Sequence, residues 1–199
     1  MAKTTLIIGI GSTGLNIIEE AQQYHYEFIG KNKPGKNVEY LYLETDISNK
    51  SKSTAGGKSM INPVFVDFTD IDVDIKQYRK KMGSKVEWIP PVEYLESGNI
   101  GAGGMPAFGR LAMWKKYNFD NLKSTILNKF SAINGDSNTL IYVVGTLTGG
   151  TGSGLSVDIA YLLQEILPQC ANNIQALFLL PDEASFSKNK SLHENTFSA

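Results

Sequence analysis

Apolar residues along this chain fall into two alternating patterns. Short unbroken runs end on glycine or on acids, and longer stretches between them repeat apolar positions every three or four residues. TTLIIGI (Thr4–Ile10) is a near-continuous run bounded by glycine, the pattern of a strand buried on both faces of a parallel sheet. LNIIEEAQQYHYEF then predicts a helix with Leu15, Ile18, Ala21 and His25 along one face, closed by Gly30 and Pro34. VEYLYLETD (Val38–Asp46) predicts a second strand with acids at its carboxyl end, and NPVFVDF a third. DVDIKQYRKKM predicts a short amphipathic helix, whereas Pro90 and Pro91 exclude a central strand from VEWIPPVEYLESG.

The same alternation continues to the end of the chain. A helix follows GAGG, with Ala107, Leu111 and Trp114 expected on one face and Lys115 and Lys116 exposed, and DNLKSTILNKFSAI predicts another. TLIYVVG predicts the next strand, SVDIAYLLQEILPQC the next helix and NIQALFLLP the last strand. Strands and helices in strict alternation predict an α/β fold: a doubly wound, mostly parallel sheet with helices on both faces. In such sheets ligands bind beyond the carboxyl ends of the strands, and each glycine cluster lies where a strand hands over to a helix or loop.

Composition narrows the classes of partner. The 199 residues are 42% hydrophobic and 20% charged, enough to bury one sizeable core. Nineteen Lys+Arg against twenty Asp+Glu leave a net charge of -1, which gives no basic excess for nucleic acid and no polybasic run for a membrane surface. No apolar run reaches the ~20 residues of a membrane helix, and MAKTTLIIGIG lacks a small-residue cleavage site, so a cytoplasmic location is expected. The single cysteine, Cys170, reads as a packing residue.

The candidate chemistry lies in the glycines. GIGSTG (Gly9–Gly14) matches G-x-G-x-x-G after a strand, a backbone shape that brings helix N–H groups to phosphate. With Glu44 or Asp46 ending the second strand, the bare spacing also admits an NAD-dependent oxidoreductase. TLTGGTGSG is the discriminator, because a dinucleotide fold has no standing need of a second glycine loop opening a helix after its fourth strand. Two helix N-termini aimed at one region suit a ligand with several phosphates. Thr148, Thr151 and Ser153 add hydroxyls, although Ser153 could simply cap a helix starting near Leu155. On the phosphate reading Gly149 to Gly152 refuse side chains because their amides face ligand, so Gly150→Ala is expected to weaken binding and spare the fold. GGKS (Gly56–Ser59) is not a Walker A loop, since Lys52 stands where its first glycine belongs.

Taken together these loops resemble the tubulin/FtsZ superfamily. TLTGGTGSG is similar to the tubulin signature GGGTGSG, GIGSTGLN to the first nucleotide loop of FtsZ, and GAGGMPAFGR to its third loop, close to GAGANPEVGR. ETD (Glu44–Asp46) and PDEASFSK lie where the family has its acid-bearing second loop and its ribose loop. The resemblance implies a GTPase domain over 1–199 that binds GTP or GDP with Mg2+. It places Gly9, Gly11, Ser12, Thr13, Gly14, Thr148, Gly149, Gly150, Thr151, Gly152 and Ser153 around the phosphates. It also puts Asn16 near the guanine or ribose, Gly101, Ala102, Gly103 and Gly104 over the γ-phosphate, and a water-mediated metal at Asp46 or, second, Glu44.

Self-association into filaments through the nucleotide is implied too, with the catalytic acids supplied by a neighbouring subunit from a region outside this chain. SLHENTFSA reads as a helix just beginning, so the central helix and C-terminal domain are expected beyond it. Thr148 for glycine, Met105 for asparagine and Ser187 near a ribose-binding glutamate depart from the FtsZ pattern and point toward the divergent bacterial tubulin-like proteins. A nucleotide-gated scaffold with little hydrolysis is the alternative within that resemblance.

Overall fold

The structure is a computed structural model that describes residues 3–29, 37–46, 63–65, 76–77, 79–80 and 102–180. β1 (Thr5–Ile10) leads directly into α1 (Gly11–Ile29), followed by β2 (Val38–Glu44) and β3 (Pro63–Phe65). α2 (Pro106–Trp114), α3 (Lys116–Ala132), β4 (Leu140–Thr146) and α4 (Gly150–Ile166) come next, and a 3-10 turn (Pro168–Asn173) leads into β5 (Ile174–Leu179). Of the helix expected in DVDIKQYRKKM, residues 76, 77, 79 and 80 are described and are helical. The proline-interrupted stretch, GGKS and PDEASFSK lie outside the described residues.

All strand pairs are parallel, in the order β3-β2-β1-β4-β5, as the doubly wound reading anticipated. β1 and β4 are neighbours in space but far apart in sequence, so the winding reverses between them, and that is where an open α/β sheet forms its ligand crevice. Register sharpens the point. Gly9 pairs with both Tyr42 and Val144, so β1, β2 and β4 end nearly level and release Gly11, Thr45 and Leu147 at one edge of the sheet.

Two apolar layers hold this sheet. Leu6, Ile8, Ile10, Leu41, Leu43, Ile141 and Val143 face a core shared with Phe108, Leu111, Ile126, Leu155 and Ile159 of α2, α3 and α4. The alternate residues Tyr40, Tyr42 and Val144 pack with Leu15 and Ile18 of α1. Helices therefore cover both faces, and the alternation of side chains along each strand decides which helix each residue meets. Of the face predicted for α1, Leu15, Ile18 and Ala21 pack in this layer, and His25 is half-buried and not among its residues. On α2 the buried residues are Phe108, Gly109, Leu111, Ala112 and Met113. Trp114, expected in the packed face, is instead 52% exposed. Its indole N–H donates to Asp158 across to α4 at 3.3 Å, so a polar tether rather than burial fixes it. Cys170 is fully buried, its Sγ 3.1 Å from the Asp136 carbonyl, and burial pushes its thiol above the usual range, as suits a packing residue.

A candidate nucleotide site at the sheet edge

Both helices that open this site start earlier than their apolar pattern indicates. α1 starts at Gly11 and α4 at Gly150, so most of each glycine-rich segment is the first turn of a helix and not a loop before it. Gly11, at φ 69°, turns the chain from strand to helix in one residue, a conformation costly to any residue with a Cβ. The consequence is electrostatic. The amides of Ser12 and Thr13 become N-terminal helix amides at the sheet edge, and those of Gly150, Thr151 and Gly152 do the same from α4.

Neither helix N-terminus is neutralised from within. Neither first turn carries an acid, and Gly149, the N-cap of α4, gives no side-chain cap. Ser153, the candidate cap, sits inside the first turn, and its hydroxyl donates back to the Gly149 carbonyl. Each N-terminus carries roughly half a positive charge. Between the two lies a cavity of about 200 Å³ whose wall includes Gly11, Ser12, Thr13, Gly149, Gly150, Thr151 and Gly152. No lysine or arginine is among its described lining residues, so the donors it offers an anion are backbone amides and hydroxyls.

A third segment closes the cavity. Ala102, Gly103 and Gly104 line it, with Gly103 at φ 55° and Gly104 at φ 77°, and a Cβ on either would meet nothing within 4 Å. Their position is fixed by how closely α2 crosses α4. A Cβ on Gly109 would lie 2.5 Å from the Gly150 carbonyl oxygen, and one on Gly154 would lie 2.3 Å from that of Pro106. Glycine at these places lets the two helix backbones touch. Arg110 of α2 reinforces the crossing, donating from Nε to Oδ2 of buried Asp158 at 2.9 Å and from Nη2 to Oδ1 at 3.4 Å.

The glycines therefore divide into two groups. Gly9 and Gly14 face each other where β1 crosses α1: a Cβ on Gly9 would lie 2.6 Å from the Gly14 oxygen, and one on Gly14 would lie 2.7 Å from the Gly9 carbonyl carbon. Gly150 and Gly152 also serve packing, since a Cβ would lie 2.6 Å from the Met105 nitrogen or 2.0 Å from the Thr146 oxygen. This overturns the expectation that Gly150→Ala spares the fold. Gly149 is different: it lines the cavity, and a Cβ there would meet nothing within 4 Å.

The two acids at the end of β2 also separate. Both line the cavity. Glu44 is buried and turned back on its own strand end, accepting from the Tyr42 hydroxyl, the Thr45 amide at 2.8 Å and the Asp46 amide at 3.1 Å. Tyr42 is held in its neutral donor form, because burial and then the Glu44 carboxylate raise its pKa well above the usual range. Asp46 is half-buried at the cavity wall. Among the described residues no group of three or more metal-ligating side chains exists, so an ion here would take much of its coordination from ligand oxygens and water.

Of the remaining predicted residues, Asn16 is exposed on α1, and Thr148 is occupied with its neighbour, its hydroxyl 2.9 Å from that of Thr146. Asn16, Thr148, Ser153, Gly9 and Gly14 are not among the residues lining the cavity, and Gly101 lies outside the described residues. Sequence reasoning passed over Thr45. It is buried, lines the cavity, lies 2.5 Å from the Thr151 hydroxyl and accepts the Ala102 N–H at 3.2 Å. A threonine between two acids carries no signal in sequence that marks it as a junction.

Comparisons with known proteins bear on the family and the fold. A family model described as tubulin like matches residues 6–199. No curated protein matches the sequence. Among solved structures, an empty dimer of FtsZ from M. jannaschii superposes with a TM-score of 0.56 at 16% identity, covering 100% of this chain and 41% of that one. CetZ from Methanosaeta thermophila strain DSM 6194 gives 0.57 at 18% identity, over 99% of this chain and 41% of that one. At such identities the likeness carries the fold, and the chain spans about two fifths of those solved chains. No described helix is long and apolar enough to cross a membrane.

Proposed function

This chain belongs to the tubulin-like family, and from that premise we propose that it binds GTP at the sheet edge and hydrolyses it when it assembles with further copies of itself into filaments. One observation carries the reading most directly. Two helix N-termini, both free of first-turn acids and that of α4 without a side-chain cap, line a single cavity at the point where the sheet's winding reverses. That is a donor array for an anion with more than one phosphate.

The roles follow from position. Amides of Ser12 and Thr13 on one side and of Gly150, Thr151 and Gly152 on the other hold the phosphate chain, and the Thr151 hydroxyl adds a donor. Gly103 and Gly104, whose missing side chains leave open space, let the third loop close over the terminal phosphate. Asp46 fits Mg2+, because a hard cation that keeps most of its waters requires only one or two carboxylates besides phosphate oxygens. When bound, the ion neutralises charge that develops on the phosphoryl oxygens.

Water activation is a separate task from phosphate binding. Among the described residues the cavity's carboxylates are Glu44, engaged by three donors, and Asp46. A general base must come within hydrogen-bond reach of the attacking water, and we assign it to an acid of the neighbouring subunit. The dimer of the M. jannaschii relative supports self-association as the setting. Phosphate release, measured across a protein concentration series, tests this. A rate per subunit that climbs with concentration is expected, whereas a flat rate would exclude a site shared between subunits and favour a nucleotide-gated scaffold.

A further inference from the structure

Thr45 has two hydrogen-bond partners, and the direction between the two hydroxyls depends on what the cavity holds. The Thr45 Oγ1 accepts the Ala102 N–H at 3.2 Å and lies 2.5 Å from the Thr151 Oγ1. Thr45 accepts from the backbone, and within the Thr45–Thr151 pair either hydroxyl can donate. An anion in the cavity that both residues line takes the Thr151 proton, which leaves Thr45 as the donor to Thr151. The result is a directed chain from the Ala102 amide through Thr45 and Thr151 to whatever oxygen occupies the cavity. Each bond in such a chain polarises the next, so an anion at the far end strengthens the grip on the Ala102 amide.

The chain also joins three of the segments that wall the cavity. Thr45 follows the end of β2, Thr151 lies in the first turn of α4, and Ala102 begins the segment that carries the two positive-φ glycines. A Cβ on Gly11 would lie 3.5 Å from the Thr151 Cβ, so the turn into α1 abuts the same junction. Ala102 is 3% exposed and Thr45 is the acceptor of its N–H, so removing that hydroxyl takes away the partner of a buried donor.

We propose that Thr45 is a positioning residue that couples anion occupancy at the α4 N-terminus to closure of the 102–104 segment. The proposal rests on the reading of the cavity as a phosphate site. Its function is to transmit: the third loop is held closed more firmly when phosphate oxygens accept from Thr151 than when they are absent.

Thr45→Val retains shape and β-branching while removing the hydroxyl, and Thr45→Ser restores it. With a fluorescent GTP analogue as probe, Thr45→Val is expected to bind about tenfold more weakly, and Thr45→Ser within about twofold of wild type. Amide hydrogen exchange supplies a readout that a merely structural role would not move. In wild type and Thr45→Ser the analogue should slow exchange at Ala102, Gly103 and Gly104, and in Thr45→Val, at saturating analogue, it should not. Equal affinity and equal protection in wild type and Thr45→Val would overturn the coupling while leaving the phosphate site standing. If Thr45→Val does not fold, wild type alone decides, because bound analogue without added protection at Ala102 also overturns it. Failure of wild type to bind the analogue at all would refute the phosphate reading and this proposal with it.

Discussion

Gly152→Ala is expected to destabilise the fold by about 3 kcal/mol, the upper end of the overpacking range, because its new methyl would lie 2.0 Å from the Thr146 carbonyl oxygen at the end of β4. The neighbour is backbone, so no rotamer change relieves the clash. Either the first turn of α4 lifts off the sheet or β4 frays at its carboxyl end, and both distort the cavity. Against a total stability of roughly 5–15 kcal/mol this is a large loss. Thermal unfolding followed by circular dichroism should show Tm lower by about 10 °C. An unchanged Tm would mean that α4 does not start against β4 as described.

Gly149→Val should do the opposite. Gly149 has φ -89° and ψ 155°, extended backbone in which a β-branched residue is at ease, and a Cβ there meets no protein atom within 4 Å. Stability should therefore change by no more than about 0.5 kcal/mol. The side chain, however, would stand at the cavity wall beside the first amides of α4. Phosphate oxygens would be held away from those donors, and affinity for GTP should fall by about a hundredfold or more, as calorimetry can measure. Full affinity in Gly149→Val would show that the α4 amides do not hold the ligand. The two substitutions lie three residues apart, and only Gly152→Ala should lower the stability of the fold.

That contrast also shows what could be read from the sequence and what could not. Strands were legible because unbroken runs such as LIIGI and LIYVVG have few alternatives to a sheet buried on both faces. The meeting of three glycine segments at the sheet edge was legible too, since chain order and the doubly wound fold bring them there. The starts of α1 and α4 were not. Glycine is unfavourable in a helix by roughly 1 kcal/mol relative to alanine, so local preference argues against helix at Gly150, Gly152 and Gly154. Contact with β4 and α2 outweighs that preference, and such contacts have no local signature.

The same reasoning explains the side chains that moved between roles. Glu44 and Asp46 look equivalent in ETD, but Glu44 is the last residue of β2 and Asp46 lies beyond it, and only the fold shows Glu44 receiving Tyr42 and two amides. Ser153 looks like a cap only if the helix starts after it. Thr45 gains its place from partners 57 and 106 residues away, which no window of sequence contains.

Competition for a bound fluorescent guanine nucleotide by GTP, ATP and NAD tests the central claim most directly, because it asks what the cavity takes before asking what the protein does with it. GTP should displace the probe at concentrations at which ATP and NAD do not. Displacement by NAD or ATP as readily as by GTP, or no binding of the probe at all, would contradict the assignment of this cavity to a guanine nucleotide.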